Sequence, residues 1–194
     1  MSRLFHNEGA GVFKDVSAAA GMKIEGLHYG LGVTSADFDE DGWPDIFVAC
    51  DSTPSILFHN NRNGTFTDIA VEAGVAYGDN GEEQGGMGVS AFDFDNDGRI
   101  DILRTNFMDE TTTTLYRNVG DNFFVNETVP AGLGGWPAMR GPWSRRGTVT
   151  GTPGVTVTFS PSMSSVRSSN LPRVMRDTSS RSSSSRFMCF AWRS

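Results

Sequence analysis

Apolar residues in this chain come in short runs that alternate with polar ones, and the runs are interrupted at nearly regular intervals by aspartate and glycine. "GVTSADFD" (32–39) and "DIFVA" (45–49), then "GVSAFDFD" (88–95) and "IDILRTN" (100–106), are rich in Val, Ile, Phe and Thr. Bounded by Gly or Asp, they read as short strands. Three further segments align without gaps: "LFHNEGAGVFKDVSAAAGM" (4–22), "LFHNNRNGTFTDIAVEAGV" (57–75) and "LYRNVGDNFFVNETVPAGL" (115–133). They share Leu, an aromatic residue, Asn at the fourth place, Phe at the tenth and Ala-Gly near the end. Each reads as a hairpin: a strand ending at Asn7, Asn60 or Asn118, a Gly/Asn turn, and a strand carrying Phe13, Phe66 or Phe124.

Together these runs make four short strands per repeating unit. A sheet of that size buries both faces only by stacking on copies of itself around an axis. The expected fold is therefore all-β, a partial β-propeller of four-stranded antiparallel blades with a disordered C-terminal tail. A β-sandwich would satisfy the strand count but not the fixed repeat. The units divide as an incomplete blade, hairpin only (1–29), two blades with acidic loops (30–78 and 79–135), and a tail (136–194).

Charge sharpens the division at the tail. Up to Met139 there are 22 acidic and 7 basic residues; from Arg140 onward there are 9 Arg, no Lys and a single acid, Asp177. The acidic part would repel a phosphate backbone, which argues against nucleic acid as a partner. No run of 18 apolar residues suggests a membrane span, and the first 20 residues lack the pattern of a signal peptide. Cys50 and Cys189 fall in the two different parts, so a structural disulfide is not expected. The Ser- and Arg-rich end of the tail lacks apolar periodicity and is read as disordered. An Arg/Ser segment can also bind RNA, the weaker reading of this tail.

The acidic residues are not spread evenly. Asp37, Asp39, Asp41, Gly42 and Asp45 spell D-x-D-x-D-G-x-x-D, and Asp93, Asp95, Asp97, Gly98 and Asp101 spell it again 56 residues later. Like charges crowded this closely oppose folding unless a cation sits among them. Alternating carboxylates on a tight loop can converge on one centre, and Gly at the sixth place permits the turn. All the side-chain donors are hard oxygens, with no His or Cys in either loop, which favours Ca²⁺. An EF-hand opens alike but needs Glu at position twelve, where Val48 and Arg104 stand, and helical rather than strand flanks. A solvated acidic turn would account for one such loop; two at one spacing favour the cation.

"DFDEDGWPDIFVA", "DFDNDGRIDIL" and the 57–75 hairpin resemble the FG-GAP/VCBS repeats of integrin-α-like β-propellers, above all the bacterial and cartilage-acidic-protein-type members. The resemblance covers residues 3 to about 135. It implies Ca²⁺ between the first two strands of a blade, held by side chains at loop positions one, three, five and nine and by the carbonyl at seven. The implied ligands are Asp37, Asp39, Asp41, the Trp43 carbonyl and Asp45, then Asp93, Asp95, Asp97, the Arg99 carbonyl and Asp101. It further implies a secreted or surface-exposed recognition or adhesion module, extracellular or periplasmic in its parent protein, with an unidentified protein or carbohydrate partner. Closed rings of this kind need about four to eight blades, so the chain is expected to be a monomeric fragment.

No Ser/His/Asp or Cys/His spacing supports catalysis, and no catalytic residue is assigned. The alternatives are a propeller portion attached to an enzyme and a non-functional product of a truncated or misread gene. His6 and His59 share one place in two hairpins, with Arg117 in the third, which points to a surface position. Asn63-Gly-Thr and Asn126-Glu-Thr match the glycosylation acceptor pattern. The insertions 78–86 and 108–114 are polar loops where binding specificity would reside. The repeat spacing places a third acidic loop at "TVTGTPGVT" (148–156). Thr codons read one base back give Asp, Asn, His or Tyr, so a frameshift allows carboxylates at Thr148, Thr150, Thr152 and Thr156, at the loop's own spacing. The sixth place could not then be Gly, and Thr-rich tracts give the same pattern unaided; the coding DNA separates the two.

Overall fold

The computed structural model describes residues 2–22, 26–107 and 113–133, together with the backbone of three short strands between 147 and 168. The fold is all-β, with no helix among the described residues. Strands β1 (Phe5–Gly9) and β2 (Val12–Asp15) form a two-stranded hairpin. Strands β3 (Gly30–Ala36), β4 (Asp45–Cys50), β5 (Ile56–Asn60) and β6 (Phe66–Asp68) form a four-stranded antiparallel meander in chain order. Strands β7 (Gly86–Phe92), β8 (Asp101–Asn106), β9 (Thr114–Gly120) and β10 (Phe123–Asn126) repeat it. The architecture is a partial propeller. In the tail, β11 (Gly147–Thr150), β12 (Thr156–Phe159) and β13 (Arg167–Ser168) pair as a small antiparallel sheet. The rest of the tail, and with it the expectation of disorder, lies outside the described residues.

The two-residue period of a strand sorts side chains to opposite faces, and here both faces are buried. Ile46, Val48 and Cys50 of β4, with Ile56 and Phe58 of β5, pack against Leu4, Ala20 and Met22 of the hairpin unit. The intervening Phe47, Ala49 and Leu57 pack the other way, against Ile102, Tyr116 and Phe124 of the next sheet. Phe38 meets Phe124 edge to face, ring centres 5.8 Å apart. Strand β8 continues the scheme: Ile102 joins the core between sheets, while Leu103 lies on the far side with Phe92, Leu115 and Leu133. Each sheet is thus a slab between two apolar layers, which is why "DIFVA" is a continuous apolar run.

Two devices join the units. The Ala-Gly pair closing each of the first two hairpin segments docks on the fourth strand of the following sheet: Ala20 O accepts from Phe66 N at 2.8 Å, and Ala73 O from Phe124 N at 3.0 Å. Gly74 holds φ +78°, and a Cβ there would stand 3.2 Å from Phe124 O, so glycine serves both the turn and the contact. At the first strands, β3 lies so close to β7 that a Cβ on Gly32 would stand 2.4 Å from Met87 O.

Candidate metal centres

Each acidic loop connects the first two strands of its sheet, β3 to β4 and β7 to β8. The backbone of both is bent alike. The fourth position is left-handed (Glu40 φ 60°, Asn96 φ 62°), and the sixth is glycine with positive φ (Gly42 88°, Gly98 96°). The first aspartate holds this turn from within: Asp37 accepts from Asp41 N at 3.0 Å and Gly42 N at 2.8 Å, and Asp93 from Asp97 N at 3.2 Å and Gly98 N at 3.0 Å. These side-chain to backbone bonds reach four and five residues on, are local to the loop, and are encoded by the D-x-D-x-D-G spacing itself.

The ninth-position aspartates begin the second strand and are buried: 1% exposed for Asp45 and 0% for Asp101. Each ties the loop to the third strand. Asp45 accepts from Phe38 N (3.2 Å) and Asn60 N (2.8 Å); Asp101 accepts from Phe94 N (2.6 Å) and Asn118 N (2.8 Å). The repeated Asn of each hairpin completes the frame. Asn60 Nδ2 donates to Pro44 O at 3.1 Å, and Asn118 Nδ2 donates to Ile100 O (3.1 Å) and, across to the preceding loop, to Phe38 O (2.6 Å). The same neighbouring sheet supplies Asn122, whose Nδ2 donates to Asp39 Oδ2 at 3.0 Å.

Three carboxylate sets result. Asp37, Asp39 and Asp41 each offer an oxygen within 4.8 Å of the other two, as do Asp93, Asp95 and Asp101. Asp39 also belongs to a mixed set with Asp45 and His59. Asp97 is not in the second trio: its Oδ1 accepts from Arg99 N at 2.9 Å and its Oδ2 from the Arg99 guanidinium. In the first loop Arg62 takes the matching role, Nε to Asp41 Oδ2 at 2.6 Å. Trp43 and Arg99 occupy position seven, their amides bonded to Asp41 and Asp97.

The FG-GAP-like repeat matches this chain at residues 1–48 and 37–104, together more than half of it. The chain belongs to the FG-GAP-like repeat family. It is 37% identical over 101 residues to cartilage acidic protein 1 of Mus musculus, 37% over 102 residues to that of Homo sapiens, and 34% over 102 residues to that of Xenopus tropicalis. Each match covers 52% of this chain and 14 or 15% of the relative's length.

The FG-GAP-like loops carry opposed electrostatic demands. Burial pushes the Asp45 carboxyl up to about 6, against its two amide hydrogen bonds and with the Asp39 charge adding to the rise. Burial likewise raises Asp101 to about 7, with Asp95 and Asp97 adding to it. Asp41 moves down despite some desolvation, because the Trp43 amide and the Arg62 guanidinium favour its charge. Acid groups held this way can hold a divalent ion, whose charge would offset both burial and mutual repulsion.

One contributor was not legible as such. His59, expected at the surface, has a side chain only 25% exposed, with Nδ1 3.4 Å from Asp39 Oδ2 and 3.3 Å from Asp45 Oδ1. Neither approach is aligned as a hydrogen bond, and Nδ1 is buried without such a partner. The register of β5 on β4 causes this: Phe58 pairs with Ile46, so His59 comes opposite Asp45, the loop's ninth residue and the first of β4, and Asn60 runs past it. The matching residue of the next sheet, Arg117, turns instead to Glu127, Nε to Oε1 at 3.2 Å.

Proposed function

We propose that this chain is a calcium-binding FG-GAP repeat module for extracellular recognition or adhesion, in which Ca²⁺ is structural. The observation that carries the reading is the buried ninth-position aspartate of each loop, Asp45 beside Asp39 and His59, and Asp101 beside Asp93 and Asp95. Isolated carboxylates are costly to bury unless paired or bound to a metal. Asp37, Asp39, Asp41 and Asp45, with the Trp43 carbonyl, would hold one ion; Asp93, Asp95, Asp97 and Asp101, with the Arg99 carbonyl, a second. The donor set is hard oxygen, and the orphaned buried nitrogen of His59 is a further donor beside the first loop.

Bound Ca²⁺ supplies positive charge that neutralises these carboxylates. The chain's own residues do the rest: Asn60 and Asn118 fix the loop against the third strand, and Asn118 and Asn122 link the first loop to the second sheet. Ion binding therefore stabilises the joint between blades as well as a turn. An extracellular setting, where Ca²⁺ is about 10⁻³ M, fills even weak sites of this class. The similarity to proteins named for cartilage supports that setting. The partner we expect is a protein or carbohydrate, met at the polar insertions 78–86 and 108–114, of which residues 108–112 lie outside the described residues.

The test is thermal unfolding of the full chain with EDTA and with 1 mM-class Ca²⁺. Binding to the folded state alone gives about 1.4 kcal/mol at about a tenfold excess over a Kd of about 10⁻⁴ M, so EDTA lowers the melting temperature and Ca²⁺ restores it. An unchanged melt would contradict the proposal.

A further inference from the structure

The two acidic loops share one spacing, but they differ in what stands over them. In the second, Arg99 is bonded to Asp97, and the hairpin residue Arg117 is engaged with Glu127. The first has an imidazole at the corresponding place, its Nδ1 3.4 Å from one Asp39 oxygen and 3.3 Å from one Asp45 oxygen. Donors about 2.0–2.1 Å from a common tetrahedral ion stand roughly 3.3–3.4 Å apart, so these separations suit one bound ion.

The lone pairs are there to be used. Asp45 Oδ1 accepts one hydrogen bond, from Asn60 N, and Asp39 Oδ2 accepts one, from Asn122 Nδ2. Each oxygen keeps a second acceptor site. With its proton on Nε2, His59 presents a buried Nδ1 with no hydrogen-bond partner. Imidazole nitrogen binds zinc-class ions far better than it binds Ca²⁺, which takes oxygen. We propose that the first loop, and not the second, takes a zinc-class divalent ion through Asp39, Asp45 and His59. The inference rests on the metal-site reading of this loop and extends it: because Asp39 and Asp45 belong to both donor sets, zinc and calcium exclude one another there.

Calorimetric titration of the full chain with Zn²⁺, without Ca²⁺ and then in about 1 mM Ca²⁺, tests it. One Zn²⁺ is expected to bind and to release one of two bound Ca²⁺. His59→Gln is expected to weaken that Zn²⁺ site by at least about tenfold, the floor for disturbing even the outer shell of a metal site, and to abolish the release of Ca²⁺. His59→Arg places a cation there without a lone pair, and the third repeat carries Arg at that place. It is expected to behave like His59→Gln. Unchanged Zn²⁺ affinity in both variants, or retention in His59→Arg, overturns the inference. If Ca²⁺ binds but Zn²⁺ uptake does not depend on His59, this inference alone fails; if the chain takes up neither ion, the calcium proposal fails with it.

Discussion

Asp45 and Asp101 each serve two backbone amides, one in their own loop and one on the third strand, which explains why the motif carries an aspartate at the ninth place and not merely any turn residue. Their folded-state values, about 6 and about 7, lie above the 3.8 of a free aspartate. A raised value means that the folded state binds the proton more tightly than the unfolded one. In the metal-free chain, stability should therefore rise as pH falls from above 7 toward 4, and fall again as pH rises through 6 to 7. Melting curves in EDTA at pH 8 and pH 5.5 should show the acid sample melting a few degrees higher, since about 1 kcal/mol moves the midpoint roughly 2–4 °C at this chain length. Saturating Ca²⁺ should remove or reverse that trend. A second residue-scale expectation concerns Asn118, 0% exposed, whose side chain satisfies Phe38 O, Ile100 O and Gly120 N. Asn118→Ala leaves these buried groups unpaired and should cost about 2–4 kcal/mol in urea denaturation, at roughly 1–3 kcal/mol for each group left unsatisfied and with partial relaxation.

Strands were the most legible element in the sequence, because the repeated aromatic, Asn and Phe places mark register as well as type. Asn60 pairs with Phe66, and Asn118 with Phe124, in the hairpins the alignment suggests. The Ala-Gly ending was visible as a repeat, but its purpose was not: docking on the next sheet's last strand is a contact between residues about 46 to 51 positions apart. One half-buried and one fully buried polar side chain were hidden for the same reason. His59 faces a loop that its own repeat cannot reveal, since the aligned Arg117 turns elsewhere. Arg104, in the middle of an apolar strand, is 1% exposed and donates to Ser55 Oγ at 2.8 Å and to Gln84, with its guanidinium 5.3 Å from the Tyr116 ring centre. Ser55 and Gln84 come from the preceding sheet and the connection after it, which no periodicity within "IDILRTN" can announce. Element packing also makes a sharp forecast. Gly32→Ala places a methyl 2.4 Å from Met87 O, a backbone atom that cannot swing aside. The substitution should force β3 from β7 and cost about 1–3 kcal/mol, the usual range for overpacking, measurable as a lowered urea midpoint.

At the scale of the whole molecule, the sheets are held by apolar layers between them and by polar ties that pass through the loops. Those ties run in one direction along the chain: Asn118 and Asn122 of the second sheet reach back to Phe38 O and Asp39 of the first loop. Filling the first site should thus be felt by both sheets, so unfolding of the calcium-loaded chain should be more cooperative than that of the EDTA-treated one. The measurement that most directly tests the account is calorimetric titration of the full chain with Ca²⁺. Two equivalents should bind with Kd of about 10⁻³ M or tighter, and Asp101→Ala should leave one. No saturable heat, or an unaltered stoichiometry in Asp101→Ala, would contradict the claim that the paired aspartate loops are calcium sites.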